Sequence, residues 1–112
     1  MMTIGVSAGS HGDYAVSGIN VKILKADSGE EIKCDAVFDG AKKYESIESF
    51  IGGKTDLKKV SIYIAYNGDK FDNINNITME ATIEFSNGKK KEKCEFRKEL
   101  HRETKTVWFR VP

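Results

Sequence analysis

The segment NGDKFDNINN, residues 67 to 76, places Asp69, Asp72, Asn73, Asn75 and Asn76 within a few positions of one another. Carboxylate and amide oxygens are the ligands a hard cation takes, so Asp69, Asp72, Asn73 and Asn75 are the candidate metal ligands, and calcium the candidate ion. Their spacing is not that of an EF-hand. Asn and Asp are also the ordinary residues of turns that need unusual backbone angles, so a plain loop is the competing interpretation. Asn76-Ile77-Thr78 fits the glycosylation sequon, which matters only for a chain secreted from a eukaryotic cell.

A second candidate is electrostatic. Residues 89 to 112 hold nine Lys and Arg against four Glu, a net +5, whereas residues 1 to 88 carry 9 positive and 13 negative side chains, a net −4. Lys89, Lys90, Lys91, Lys93, Arg97, Lys98 and Arg102, with His101 beside them, form a basic patch that would suit a nucleic acid or another anionic partner. The alternative is a solvated hairpin whose lysines guard a strand edge. Phe85 and Phe96 are expected to point to the apolar face, so the aromatic interleaving of a single-strand-binding platform is missing.

Catalytic chemistry finds less support. His11 and His101 have no nucleophile at a recognisable spacing. SAGSHGD, Ser7 to Asp13, brings serine, histidine and aspartate together, but a triad is assembled in space and not from neighbours on one loop. GSHG lacks the G-x-x-x-x-G-K frame of a phosphate loop. The expectation is a protein that is not an enzyme. Cys34 and Cys94 are the only cysteines. Without a C-x-x-C or Cys/His cluster, structural zinc is not expected. One bridge between them is geometrically conceivable, and a pair of buried thiols is the simpler expectation.

The elements that would hold these groups are mostly strands. ITMEATIEFSNGKKKEKCEF, residues 77 to 96, is expected to turn at Asn87-Gly88 as a two-residue hairpin. That register sets Phe85 opposite Lys90, Ile83 opposite Glu92, Ala81 opposite Cys94 and Met79 opposite Phe96 on one face. Glu84 with Lys91, Thr82 with Lys93 and Thr78 with Arg97 fall on the other, where Glu80 meets Glu95 unfavourably. INVKILKADSGEEIKCDAVF, residues 19 to 38, is expected to turn at Ser28-Gly29, pairing Ile23 with Cys34, Val21 with Ala36, Ile19 with Phe38 and Lys22 with Asp35.

LKKVSIYIAY, residues 57 to 66, alternates Val60, Ile62, Ile64 and Tyr66 against Ser61, Tyr63 and Ala65, which predicts a strand with one strongly apolar face. TVWFRV predicts a final strand with Val107, Phe109 and Val111 opposed to Trp108 and Arg110. DYAVSG, residues 13 to 18, is a short strand or a lead-in to the first hairpin. In AKKYESIESFIGG the spacing of Tyr44, Ile47 and Ile51, stopped by Gly52-Gly53, predicts a short helix, with a crossing strand as the alternative.

The run DLKKVSIYIAYNGDKFDNINN, about a fifth of the chain, resembles the central strand and following loop of the tellurite-resistance type of bacterial stress proteins. Phe71, Ile74 and Asn76 stand where that family's F-x-x-V-x-N pattern would put them. The resemblance implies a β-sandwich that binds calcium. The acidic calcium-binding clusters of that family have no counterpart upstream, and the chain is not assigned to it.

At 112 residues, with 39% hydrophobic and 31% charged residues and one proline, the chain is expected to be one domain, residues 1–112, with a modest core of its own. No apolar run is long enough to span a membrane. The N-terminus lacks a basic n-region and a long apolar h-region, so a cytoplasmic location is expected, although a signal already removed would leave no trace. The fold expected is all-β: an antiparallel, immunoglobulin-like β-sandwich of about seven strands with one short helix. A partly open oligonucleotide-binding barrel is the second choice. The function expected is a non-enzymatic interaction module that takes a protein partner or self-associates. A calcium-binding sandwich and a nucleic-acid or anionic-ligand binder using the basic hairpin are the alternatives.

Overall fold

Strict two-residue alternation turns most of this chain into strands with one apolar face, and two such faces bury each other. A computed structural model describes residues 2–10, 12–52, 54, 57–71, 76–101 and 106–111. The elements are β1 (Met2–Ala8), β2 (Ala15–Lys25), β3 (Glu31–Ile32), β4 (Ala36–Asp39), β5 (Lys42–Tyr44), α1 (Ile47–Ile51), β6 (Val60–Tyr66), β7 (Asn76–Ser86), β8 (Lys91–His101) and β9 (Thr106–Val111). A 3-10 turn, Gly68–Phe71, follows β6. The strands form a five-stranded sheet in the order β5-β4-β6-β1-β9 and a four-stranded sheet in the order β3-β2-β7-β8. The protein is all-β with one short helix, as expected. The described strands number nine and not seven, and β1 runs parallel to β9 in a sheet expected to be wholly antiparallel.

One continuous core lies between the sheets. Ile4, Val6, Ile62 and Ile64 contribute from the five-stranded sheet, and Ile23, Ile77, Met79 and Ile83 from the other, all fully buried. Each such side chain contributes roughly 1.5–3 kcal/mol on leaving water. The apolar face expected for residues 60 to 66 is the buried one, and Val107 and Phe109 are buried on β9 while Trp108 and Arg110 face out.

The β7 and β8 hairpin has the expected faces and a different register. Ser86 pairs with Lys91, Ile83 with Cys94 and Ala81 with Phe96, so the connection is four residues long. Asn87 explains the change: its Oδ1 accepts from the N–H groups of Lys89 and Lys90, and Gly88 takes φ +88. Because the shift is an even number of residues, no side chain changes face. The shift also removes the Glu80 and Glu95 clash, since Glu80 now opposes Arg97.

The first hairpin is much shorter than expected. Ile23 pairs with Ile32 and Leu24 with Glu31, after which residues 33–35 cross to the other sheet and Ala36–Asp39 pairs with β6 and β5. None of the pairs expected for Cys34, Asp35, Ala36 and Phe38 forms. Instead β2 runs beside β7 over its whole length, with Lys22 opposite Glu80. Residues 13 to 18 contain the start of β2, which is bulged between Val16 and Gly18.

Helix α1 is shorter than the spacing predicts, because Tyr44 belongs to β5. Ser46 caps it by accepting from the Ser49 N–H. Gly52 ends it at φ −50, outside the left-handed region, and Gly53 lies outside the described residues. The helix packs on β2 of one sheet and β5 of the other, so it closes one side of the two-layer structure. Among the described residues, no helix is long and apolar enough to cross a membrane.

Candidate interaction surface

On the outward face of the five-stranded sheet, register lines up Lys43, Phe38, Tyr63, Gly5 and Trp108 across all five strands. The flanking positions on the three central strands are small: Ala36, Ala65 and Thr3 on one side, Ser61 and Ser7 on the other. Tyr63 and Trp108, 41% and 38% exposed, are the large hydrophobic residues left in solvent among those described. They touch: the ring centroids lie 5.3 Å apart, nearly edge to face.

Gly5 makes that contact available. A Cβ at this position would sit 2.4 Å from a carbon of the Trp108 ring, so the indole lies over the bare glycine backbone and leans towards Tyr63. Arg110 places its guanidinium 4.7 Å from the same ring's centroid. The indole is thus held between the glycine backbone, the Tyr63 ring and the Arg110 guanidinium while staying 38% exposed. Gly5→Ala is expected to push the indole off the sheet at a cost of about 1–3 kcal/mol. Trp108 is the single tryptophan. Its emission should therefore shift to longer wavelength in Gly5→Ala and stay unchanged in Ser7→Ala on the same strand face.

The sheet edges differ in how they are protected. β3 has two residues and β5 three, two of them exposed lysines. β8 is long, but seven of its eleven residues are charged, and Lys98 and Glu92 project on the side that holds the core. Short strands, lysines and inward-pointing charges are the usual defences against edge pairing. β9, TVWFRV, has one charge in six residues and adjoins the Trp108 and Tyr63 patch. Among the described residues, no strand pairs with its outer side.

The basic residues of the β8 hairpin are spread over different surfaces. Lys89 and Lys90 occupy the exposed connection, Lys91, Lys93 and Arg97 the outward face of β8, and Lys98 the opposite face, across from Met79. Acids interleave with them: Lys91 lies 3.8 Å from Glu84, Lys93 lies 3.7 Å from Glu95, and Arg97 opposes Glu80. Arg102 and His11 fall outside the described residues, as do Asp72, Asn73 and Asn75 of the candidate calcium loop. Asp69 is exposed in the 3-10 turn, where its N–H donates to the Asn67 side chain. No cluster of three or more His, Cys, Asp and Glu side chains that could hold a metal occurs among the described residues.

That turn is tied to the crossover between the sheets. Asp35 accepts from the Asn67 N–H and pairs with Lys70 at 2.9 Å, while Lys70 also donates to the Lys33 carbonyl. The Lys70 ammonium, and after it the Asn67 N–H, holds the Asp35 carboxyl below its usual range. Nearby, a cleft of about 240 Å³ between β2, the crossover and α1 is lined by Cys34, Tyr66 and Glu48 among others. Burial pushes the Cys34 thiol and the Tyr66 hydroxyl up, so both are neutral near pH 7 and neither is an activated nucleophile there. Cys34 and Cys94 are both half-buried free thiols.

Against known proteins, the chain matches no family model and no curated protein. The likeness to the stress proteins therefore rests on residues 56 to 76 alone.

Proposed function

We propose that this chain is a non-enzymatic protein-binding module, a β-sandwich that takes an extended segment of a partner alongside β9. The observation that carries the proposal is the coincidence on one strand of the least defended sheet edge and the exposed Trp108 and Tyr63 pair. Backbone hydrogen bonds to an added strand supply affinity in this mode of recognition, and side chains beside the edge supply selectivity. The two-layer core supports the sandwich part. Support for an immunoglobulin-like subtype is narrower, since the order β5-β4-β6-β1-β9 places the first strand inside its sheet, unlike the ABED and CFG orders of that fold.

The interleaved acids on β7 and β8 make the charged hairpin a weaker candidate for the contact. Affinity capture with the purified chain, scored against two variants, separates the two surfaces. Trp108→Lys should abolish capture of a specific partner, and Lys91→Glu with Lys93→Glu should leave it in place. Capture that survives the first change and fails with the second would overturn the β9 assignment.

A further inference from the structure

The outer edge of β9 can pair with the same edge of a second copy. Resting on the proposal that β9 is a binding edge, we infer that two chains pair their β9 strands antiparallel about a two-fold axis, joining the five-stranded sheets into one of ten strands.

The argument is one of self-complementarity. In an antiparallel pair, directly opposed residues share a face, so the axis must pass through a residue and not between two. An axis at Trp108 would set two indoles against each other and leave each Arg110 facing Thr106. An axis at Phe109 sets Trp108 opposite Arg110 of the second copy, twice, and Phe109 opposite itself on the core side.

The Phe109 register repeats between chains a contact already present within one, where the Arg110 guanidinium lies 4.7 Å from the Trp108 ring. It gives the single charge of the strand a complementary surface and brings no like charges of β9 directly together. It also continues the outward row of Phe38, Tyr63 and Trp108 into Arg110 and Ser7 of the second copy, so the exposed indole loses water at the junction. The side of the structure beyond β5 and β2 is occupied by α1, whereas at the β8 and β9 side the layers meet through Phe96 and Phe109, 5.3 Å apart. A second copy would cover that side.

Sedimentation equilibrium of the purified chain over a wide concentration range tests this, with far-UV circular dichroism to verify folding. Position 108 is 38% exposed on the outward face, so its variants should fold. The wild type should show a concentration-dependent dimer. Trp108→Lys, facing Arg110 of the second copy, should weaken it roughly ten- to hundredfold. Trp108→Glu should retain it within about tenfold through an ion pair with that Arg110, and should lose it as salt is raised. Equal loss in both variants would overturn the Phe109 axis. A wild type that stays monomeric throughout would overturn self-pairing, while capture of another protein through β9 would still stand. A dimer indifferent to both variants would place the contact elsewhere.

Discussion

Ile4→Ala is expected to destabilise the protein by about 2–5 kcal/mol, a large part of the roughly 5–15 kcal/mol available to a domain of ordinary stability. Ile4 is fully buried, with Ile64 directly opposite on β6 and Val107 opposite on β9. Val37 continues the same inward row on β4. The space left by the lost atoms would be walled by four strands fixed through their hydrogen bonds, so little of it can close by relaxation. Urea unfolding followed by Trp108 emission measures the loss. Thr3→Ala, one residue earlier on the outward face, should change the midpoint little. A cost below about 1 kcal/mol at Ile4 would mean that β1 does not hold the centre of its sheet.

That strand is also where sequence patterning was hardest to read. MTIGVSA alternates Met2, Ile4, Val6 and Ala8, but with a glycine at its midpoint, small residues between, and a Gly/Ser-rich segment after it, it resembles a lead-in. Its partners lie at the far end of the chain: β9 pairs with it over a separation of about a hundred residues, and no local signal encodes such a contact. The faces of β6, β7, β8 and β9 were legible because alternation is a local property. Registers were less so, because the Asn87 side chain stabilises a longer connection than Asn-Gly usually makes. The switch of β4 to the other sheet had a signal that the longer hairpin obscured. Asp39-Gly40 is itself a turn pair, with Gly40 at φ +59 between β4 and β5.

The interaction surface was legible only in fragments. Trp108 and Tyr63 could each be assigned to an outward face from their strands, but their contact depends on Gly5 from a third strand. The lysines of the second hairpin were visible at once and Glu84 was already expected opposite Lys91, whereas Glu80 was expected to face Glu95 and only the observed register sets it against Arg97. Counting charge along a sequence overstates a patch whose neutralising partners lie on the adjacent strand.

Phe50→Ala is expected to cost about 3–5 kcal/mol, on a helix too short to persist by itself. Helix α1 stays in place because Ile47 and Phe50 are buried where β2 and β5 leave the layers open. The Phe50 ring meets Tyr44 edge to face with centroids 5.4 Å apart. Lys54 sits 4.4 Å above the ring and donates to the Phe50 carbonyl, supplying a cation at the helix C-terminus. Ser46→Ala removes only the cap and should cost about 1 kcal/mol. If the two variants lost similar amounts in urea titration, the helix would be held mainly by its cap. If Phe50→Ala lost several times more, the buried ring would be what closes this side of the core. Among the described residues the opposite side has no such wedge: there the layers meet through Phe96 and Phe109, and β9 has no strand on its outer side.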